Sequence, residues 1–181
     1  VADTTFERIA SDDVLVLQQI ARNTFHETFE AFNTPENMHA YMSEAFSLNQ
    51  LSHEIADSKT AYYFAKNNGC IAGYAKLIYD HGRDDDSVPL HVRQQTSVYI
   101  DRFYITQPFH GRGVAHEMME FCLEKAAEHN AQHLWLGVWE KNARARAFYQ
   151  KWQFAVEGQH VFCVGDDPQI DYWMVRPVKA A

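Results

Sequence analysis

The run Gln107-Pro108-Phe109-His110-Gly111-Arg112-Gly113-Val114-Ala115 has the residue types that hold a pyrophosphate without a metal. Gly111 and Gly113 permit positive φ and let a ligand approach the backbone closely, and Arg112 adds a charged donor. To its left, Tyr99-Ile100-Asp101-Arg102-Phe103-Tyr104-Ile105 is aromatic and β-branched and predicts a strand that Pro108 ends. To its right, Ala115, Met118, Met119, Cys122 and Ala126 recur at helical spacing as one apolar stripe. The glycines therefore fall at a helix N-terminus, where first-turn N–H groups lack intrahelical acceptors and the macrodipole adds positive charge. A lone G-x-G also occurs as a plain turn between strand and helix. Two other phosphate loops are excluded. A P-loop needs Lys and then Ser or Thr around its last glycine, and Val114-Ala115 follow Gly113 instead. The dinucleotide fingerprint needs a third glycine and a later acidic residue at a spacing that Gly111, Gly113 and Ala115 do not meet.

The elements that must position this loop follow from periodicity and caps. Thr4 to Ile9 predicts a first strand, and Asp12 or Asp13 caps a helix carrying Val14, Leu17, Ile20, Ala21 and Phe25. Thr34-Pro35 starts a second helix through Met38, Tyr41, Met42 and Ala45, and a short one covers Gln50 to Ala56. Ala61 to Lys66 and Ile71 to Tyr79 form strands around an Asn67-Asn68-Gly69 turn. The segment from His81 to Gln94, with Gly82-Arg83-Asp84-Asp85-Asp86, is predicted as a solvated polar loop. Leu134 to Trp139 is a strand with aliphatics on one face and tryptophans on the other. Asn142 caps a helix through Trp152, and strands from Phe154 to His160 and Ile170 to Arg176 flank Gly165-Asp166-Asp167-Pro168. Alternation of strands and helices in this order predicts an α/β fold with a mixed sheet in a single domain over residues 1–181.

Composition narrows the function. A formal charge of −8 argues against a nucleic-acid partner, which needs clustered Lys and Arg, and mildly favours cationic small molecules. Cys70, Cys122 and Cys163 lie far apart with no C-x-x-C, so neither a disulfide framework nor a metal site is indicated, and the cytoplasm is the natural compartment. No apolar run reaches the ~20 residues of a membrane span.

These residues carry a resemblance. The strand, His110-Gly111-Arg112-Gly113-Val114-Ala115 and the helix resemble the acyl-CoA-binding core of the GNAT N-acetyltransferases, whose loop reads Gln/Arg-x-x-Gly-x-Gly/Ala. Gly113 and Ala115 match it, and His110 departs at the first position. Asn142-x-x-Ala145-x-x-Phe148-Tyr149-x-Lys151-x-x-Phe154 is similar to the family's later helix, with Gln153 where glycine is usual. Thr24 to Phe29, Asn33 to Met38, Gly158 to Phe162 and Gly165 to Asp171 resemble the PaiA-like branch, which includes spermidine/spermine acetyltransferases. The resemblance implies a GNAT-like fold, a mostly antiparallel sheet flanked by helices, and acetyl-CoA as acetyl donor with no metal.

Acetyl transfer from a thioester to an amine needs a neutral amine, a polarised carbonyl and a protonated leaving thiolate. The resemblance implies that Phe103 and Ile105 pair with the pantetheine arm as an added strand, supplying N–H donors near the carbonyl, with Tyr104 between them also at the cofactor. It implies that His110, Gly111, Arg112, Gly113, Val114 and Ala115 hold the pyrophosphate. Tyr149 matches the tyrosine that protonates the thiolate, against a plain reading as an amphipathic helix residue. Asn142 is a cofactor ligand, an N-cap, or both. Where the family often has Glu on the fourth strand, this chain has Tyr99, with Asp101 two residues on and on the same face. Asp101 is the candidate base with Tyr99 behind it; a salt-bridged strand carboxylate is the competing reading. His110, His116 and His160 read as surface or satisfied polar residues rather than metal ligands. The expected activity is acetyl-CoA-dependent N-acetylation of a small cationic amine, a polyamine among them, by direct attack. A homodimer is compatible with it, and a protein-amine acetyltransferase and a non-catalytic acyl-CoA-binding module stand as alternatives.

Overall fold

Strand β1 (Thr4–Arg8) opens the described part of the chain, residues 4–178 of a computed structural model. It pairs antiparallel with β2 (Thr60–Asn67), from Thr4↔Asn67 to Arg8↔Tyr63. Between them lie α1 (Val14–Phe29), α2 (Pro35–Ala45) and α3 (Leu48–Ala56). After β2 come β3 (Cys70–Tyr79), α4 (Leu90–Gln94), β4 (Ser97–Ile105), α5 (Val114–Glu128), β5 (His133–Trp139), α6 (Ala143–Lys151), β6 (Ala155–Val164) and β7 (Asp167–Pro177). The sheet order is β1-β2-β3-β4-β5-β7-β6, with β4 and β5 parallel and β5 and β7 antiparallel. This is the α/β class with a mixed sheet that the sequence predicts.

Two compact units divide the chain. The first holds residues up to Lys76 with Arg102–Met119 and Cys163–Asp167; the second holds Leu77–Asp101, Glu120–Phe162 and the chain from Pro168 onward. In the first, Leu17, Ala21 and Phe25 of α1 are buried at the spacing their helical stripe requires. Phe25 stacks on Tyr41 at 4.5 Å and meets Phe46 edge-on at 5.6 Å, so aromatic burial joins α1 to α2. Thr34 caps α2 by accepting from the Asn37 N–H, as its type predicts. Ser47 does the same for α3, which therefore begins earlier than its apolar pattern suggests. Asp13 accepts from the Ala10 N–H at 2.9 Å rather than from a first-turn donor of α1. The Asn68-Gly69 turn has φ of 50° and 78°, the left-handed pair that Asn-Gly favours. A buried Lys76 is neutralised by Glu54 at 3.0 Å, and Glu54 also accepts from the Tyr62 hydroxyl.

The second unit corrects one expectation. The segment from His81 to Gln94 is solvated only in part: Arg83 to Asp86 are exposed, but its C-terminal end forms α4, and Val88 and Val92 enter a core with Trp135, Trp173 and Val175. His81 stacks on Tyr99 at 4.8 Å, and the Trp173 indole N–H donates to Ser87 Oγ at 3.2 Å. The polar composition misleads because its acids work locally: Asp85 accepts from the Ser87 N–H and hydroxyl, and Asp86 pairs with Arg93 at 2.6 Å. The alternation in β5 is as expected, with Trp135, Gly137 and Trp139 on one side of the strand.

Candidate active site

In the first unit, β4 ends against β3. The Thr106 N–H and hydroxyl both donate to the Ala72 carbonyl, at 2.9 and 3.1 Å. A Cβ on Gly73 would stand 2.4 Å from the Tyr104 carbonyl oxygen, so only glycine allows this approach. Phe103, Tyr104 and Ile105 are half-buried. His110 Nε2 lies 2.8 Å from the Ile105 carbonyl oxygen, and the Arg112 guanidinium sits 5.7 Å from the Phe109 ring. Gly111 and Gly113 have φ of 75° and 89°, and a Cβ on either would meet nothing within 4 Å. These glycines are thus demanded by backbone conformation while the space above them is open, which is what a phosphate cradle at a helix start requires. Behind the loop, fully buried Val114, Met118 and Met119 anchor α5.

The second unit holds the other predicted residues. β4 and β5 pair from Ser97↔His133 to Ile100↔Leu136. β5 continues to Trp139 and keeps β7 partners as far as Trp139↔Asp171. Tyr99 is opposite Trp135, 4.4 Å between ring centres, and Asp101 follows on the same face of β4. Asn142 caps α6, its side-chain oxygen accepting from the Ala145 N–H at 3.1 Å. Tyr149 is buried, with the Phe154 ring 5.8 Å away.

The turn after α6 fixes that tyrosine. The Phe154 N–H donates to the Tyr149 carbonyl and the Gln153 N–H to the Gln150 carbonyl, a Schellman pair closed by the Tyr149–Phe154 contact. Gln153 takes φ of 66°, so a residue with a side chain occupies the left-handed position where glycine is usual. Gln153→Gly should therefore stabilise the fold by about 1 kcal/mol. Urea denaturation would show it as a higher midpoint at unchanged slope, and a lower midpoint would mean the Gln153 side chain contributes more than the strain costs.

Two polar groups escaped the sequence reading. His160 is half-buried and only partly satisfied: its ring stacks on Trp173 at 3.7 Å and 4°, it has a backbone hydrogen bond with Val161, and its Nε2 is buried without a partner. Burial lowers its pKa. Asp171 Oδ1 is likewise buried and unpartnered, and burial pushes that carboxyl up to about 6. The signal available was strand alternation, which places Asp171 and Trp173 on one face of β7. Among the described residues, no group of three or more His, Cys, Asp or Glu is arranged to hold a metal, and no helix is long and apolar enough to cross a membrane.

A glycine loop with open backbone between a strand and a buried-faced helix matches a known family: the model of the acetyltransferase (GNAT) family covers residues 21–154. The chain belongs to the GNAT family. A Lactobacillus delbrueckii subsp. lactis protein named as an uncharacterized N-acetyltransferase is 34% identical over 169 residues, 93% of this chain and 94% of that one. The spermine/spermidine N(1)-acetyltransferase of Bacillus subtilis is 25% identical over 137 residues, 70% of this chain and 86% of its own. Among solved structures, PaiA N-acetyltransferase from Thermoplasma acidophilum in complex with coenzyme A has a TM-score of 0.75 at 16% identity, covering 97% of this chain and 99% of that one; it is similar in fold. The protein is thus a GNAT N-acetyltransferase that uses acetyl-CoA as acetyl donor.

Proposed function

We propose that this GNAT enzyme acetylates a primary amine of a small cationic acceptor, with polyamines the favoured class. The observation that carries the donor side is the glycine loop, whose positive φ values and open space leave the first-turn N–H groups of α5 approachable. In this reading His110, Gly111, Arg112, Gly113, Val114 and Ala115 hold the pyrophosphate, Phe103, Tyr104 and Ile105 pair with the pantetheine arm, and Asn142 adds a polar contact. The donor supplies an activated thioester; the chain supplies position and protons. Tyr149 gives its hydroxyl proton to the leaving thiolate, and Asp101, with Tyr99 beside it on the strand face, takes a proton from the amine. Residues 1–181 act as one catalytic domain, in the cytoplasm.

The acceptor side is supported by the −8 charge and by the polyamine-acetylating relative in Bacillus subtilis. A free-thiol assay should show kcat/KM for spermidine above that for amino acids and a peptide. Raising salt should lower it, because exposed charges are screened over about 8 Å at physiological ionic strength. Activity on the peptide amine alone would replace this reading with a protein-modifying one. No thiol release with any amine, beside intact acetyl-CoA binding, would leave a binding module.

A further inference from the structure

The tryptophan face of the second unit carries polar atoms that the chain itself does not satisfy. Asp171 stands opposite Trp139, and Trp173 opposite Gly137, so all four share one face. The His160 ring lies on Trp173, and its Nε2 is 3.4 Å from where a Cβ on Gly137 would be. With β6 beside β7 and Gly158 against Trp173, His160 falls opposite Asp171 across the hairpin. Asp171 Oδ1 and His160 Nε2 are both enclosed and both without hydrogen-bond partners. Polar atoms enclosed without partners are costly, and an ordered water or a ligand group completes them. Asp171 as a whole is half-buried, on the strand face it shares with Trp173.

The surroundings select the ligand. A carboxylate lacking a partner wants a donor with positive charge, and the indole face of Trp139 favours one. Lys141 Nζ already lies 5.9 Å from the Trp139 ring centre. His160 is held neutral by burial and adds no competing charge at pH 7. Asp101 supplies the second charge. It follows Ile100, which is opposite Leu136, and lies on the strand face of Tyr99, while Asp171 is opposite Trp139. Strand β5 stands between β4 and β7, so Asp101 and Asp171 are two strand spacings of about 4.8 Å apart across the sheet. A chain of several methylenes with an amine at each end covers that span.

We propose that Asp171 and His160 form a second cation subsite, which takes the distal ammonium of a di- or polyamine while the reacting amine stands at Asp101. This rests on the cationic-acceptor reading above and adds a selectivity for two charges over one. Other charges near the subsite are Glu140 and Lys141 in the turn after β5 and Asp85, whose field reaches His160; Arg146 lies against Tyr172, on the opposite face from Asp171.

The test compares putrescine with n-butylamine, which differ by the distal amine. The wild type should prefer putrescine in kcat/KM by at least ~10-fold, the scale of one charge-assisted contact. Asp171→Asn should bring the ratio to within about threefold by lowering only the putrescine value, and His160→Gln should lower it partway. Calorimetry with acetyl-CoA and thermal melting confirm that each variant is folded and loaded. Independently of any variant, the wild-type ratio should fall as pH drops through about 6, because Asp171 gains its proton there and loses its charge. Both acceptors are cations over that range, so the ratio removes their shared pH dependence. A wild-type preference that survives both substitutions and low pH overturns the subsite and leaves the cationic-acceptor reading standing. Equal use of the two amines also overturns the subsite. Turnover of a peptide with none of either alkylamine overturns both.

Discussion

Tyr149→Phe is expected to lower kcat by about 10²–10³-fold while acetyl-CoA KM stays within about threefold. The ring is buried at the start of a Schellman turn, where its carbonyl accepts from the Phe154 N–H and its face meets the Phe154 ring. Phenylalanine keeps all of those contacts, so the substitution removes the hydroxyl and little else. A proton donor for the thiolate matters as the C–S bond breaks and contributes little to binding of the intact thioester, which is why kcat should carry the loss. Single-turnover measurement at saturating acetyl-CoA separates this from slowed product release. Wild-type turnover in the variant would make Tyr149 a packing residue and move the search for the acid elsewhere.

The residues around Tyr149 also show how legible the chain was. Asn142, Ala145, Phe148, Tyr149 and Phe154 stand at spacings that fixed both the helix and its cap in advance, because helix start and stop signals are local chemistry. The same holds for the Thr34 cap, the Asn68-Gly69 turn and the glycine loop, each decided by the conformations its own residues allow. What stayed hidden depends on neighbours far along the chain. Val88 and Val92 sit in a stretch rich in aspartate, and only the presence of Trp135 and Trp173 beneath them makes that stretch a strap over the core. Asp85 and Asp86, part of a polar run in sequence, are occupied with Ser87 and Arg93. Asp171 is legible as a strand residue, yet its raised pKa comes from burial under tertiary neighbours that no spacing announces. Acceptor chemistry is accordingly harder to read than donor chemistry. The proposed donor loop is one continuous run, whereas Asp101, His160 and Asp171, the residues proposed for the acceptor, come from three separate strands.

Gly113→Val should weaken acetyl-CoA binding by at least ~100-fold while leaving a folded protein. Gly113 and Gly73 are glycine for different reasons. At Gly73 a Cβ would strike the Tyr104 carbonyl, so a side chain there disrupts the sheet itself. At Gly113 a Cβ would meet no atom within 4 Å, and the cost to the fold is confined to holding a β-branched residue at φ of 89°. Strain of that kind is worth about 1–3 kcal/mol, visible as a lowered melting temperature without loss of cooperativity. The ligand meets a different obstacle. The valine methyl groups would occupy the space through which phosphate oxygens reach the first-turn N–H groups of α5. Two lost hydrogen bonds to a charged group, at about 1.5–3 kcal/mol each, give the stated loss in affinity or more. Calorimetry with acetyl-CoA on the wild type and the variant measures it, and Gly113→Ala should fall between them because its single methyl blocks less of the approach. If the valine variant is folded and binds acetyl-CoA as tightly as the wild type, the pyrophosphate does not lie over this loop, and the assignment of His110 to Ala115 as the donor cradle fails with it.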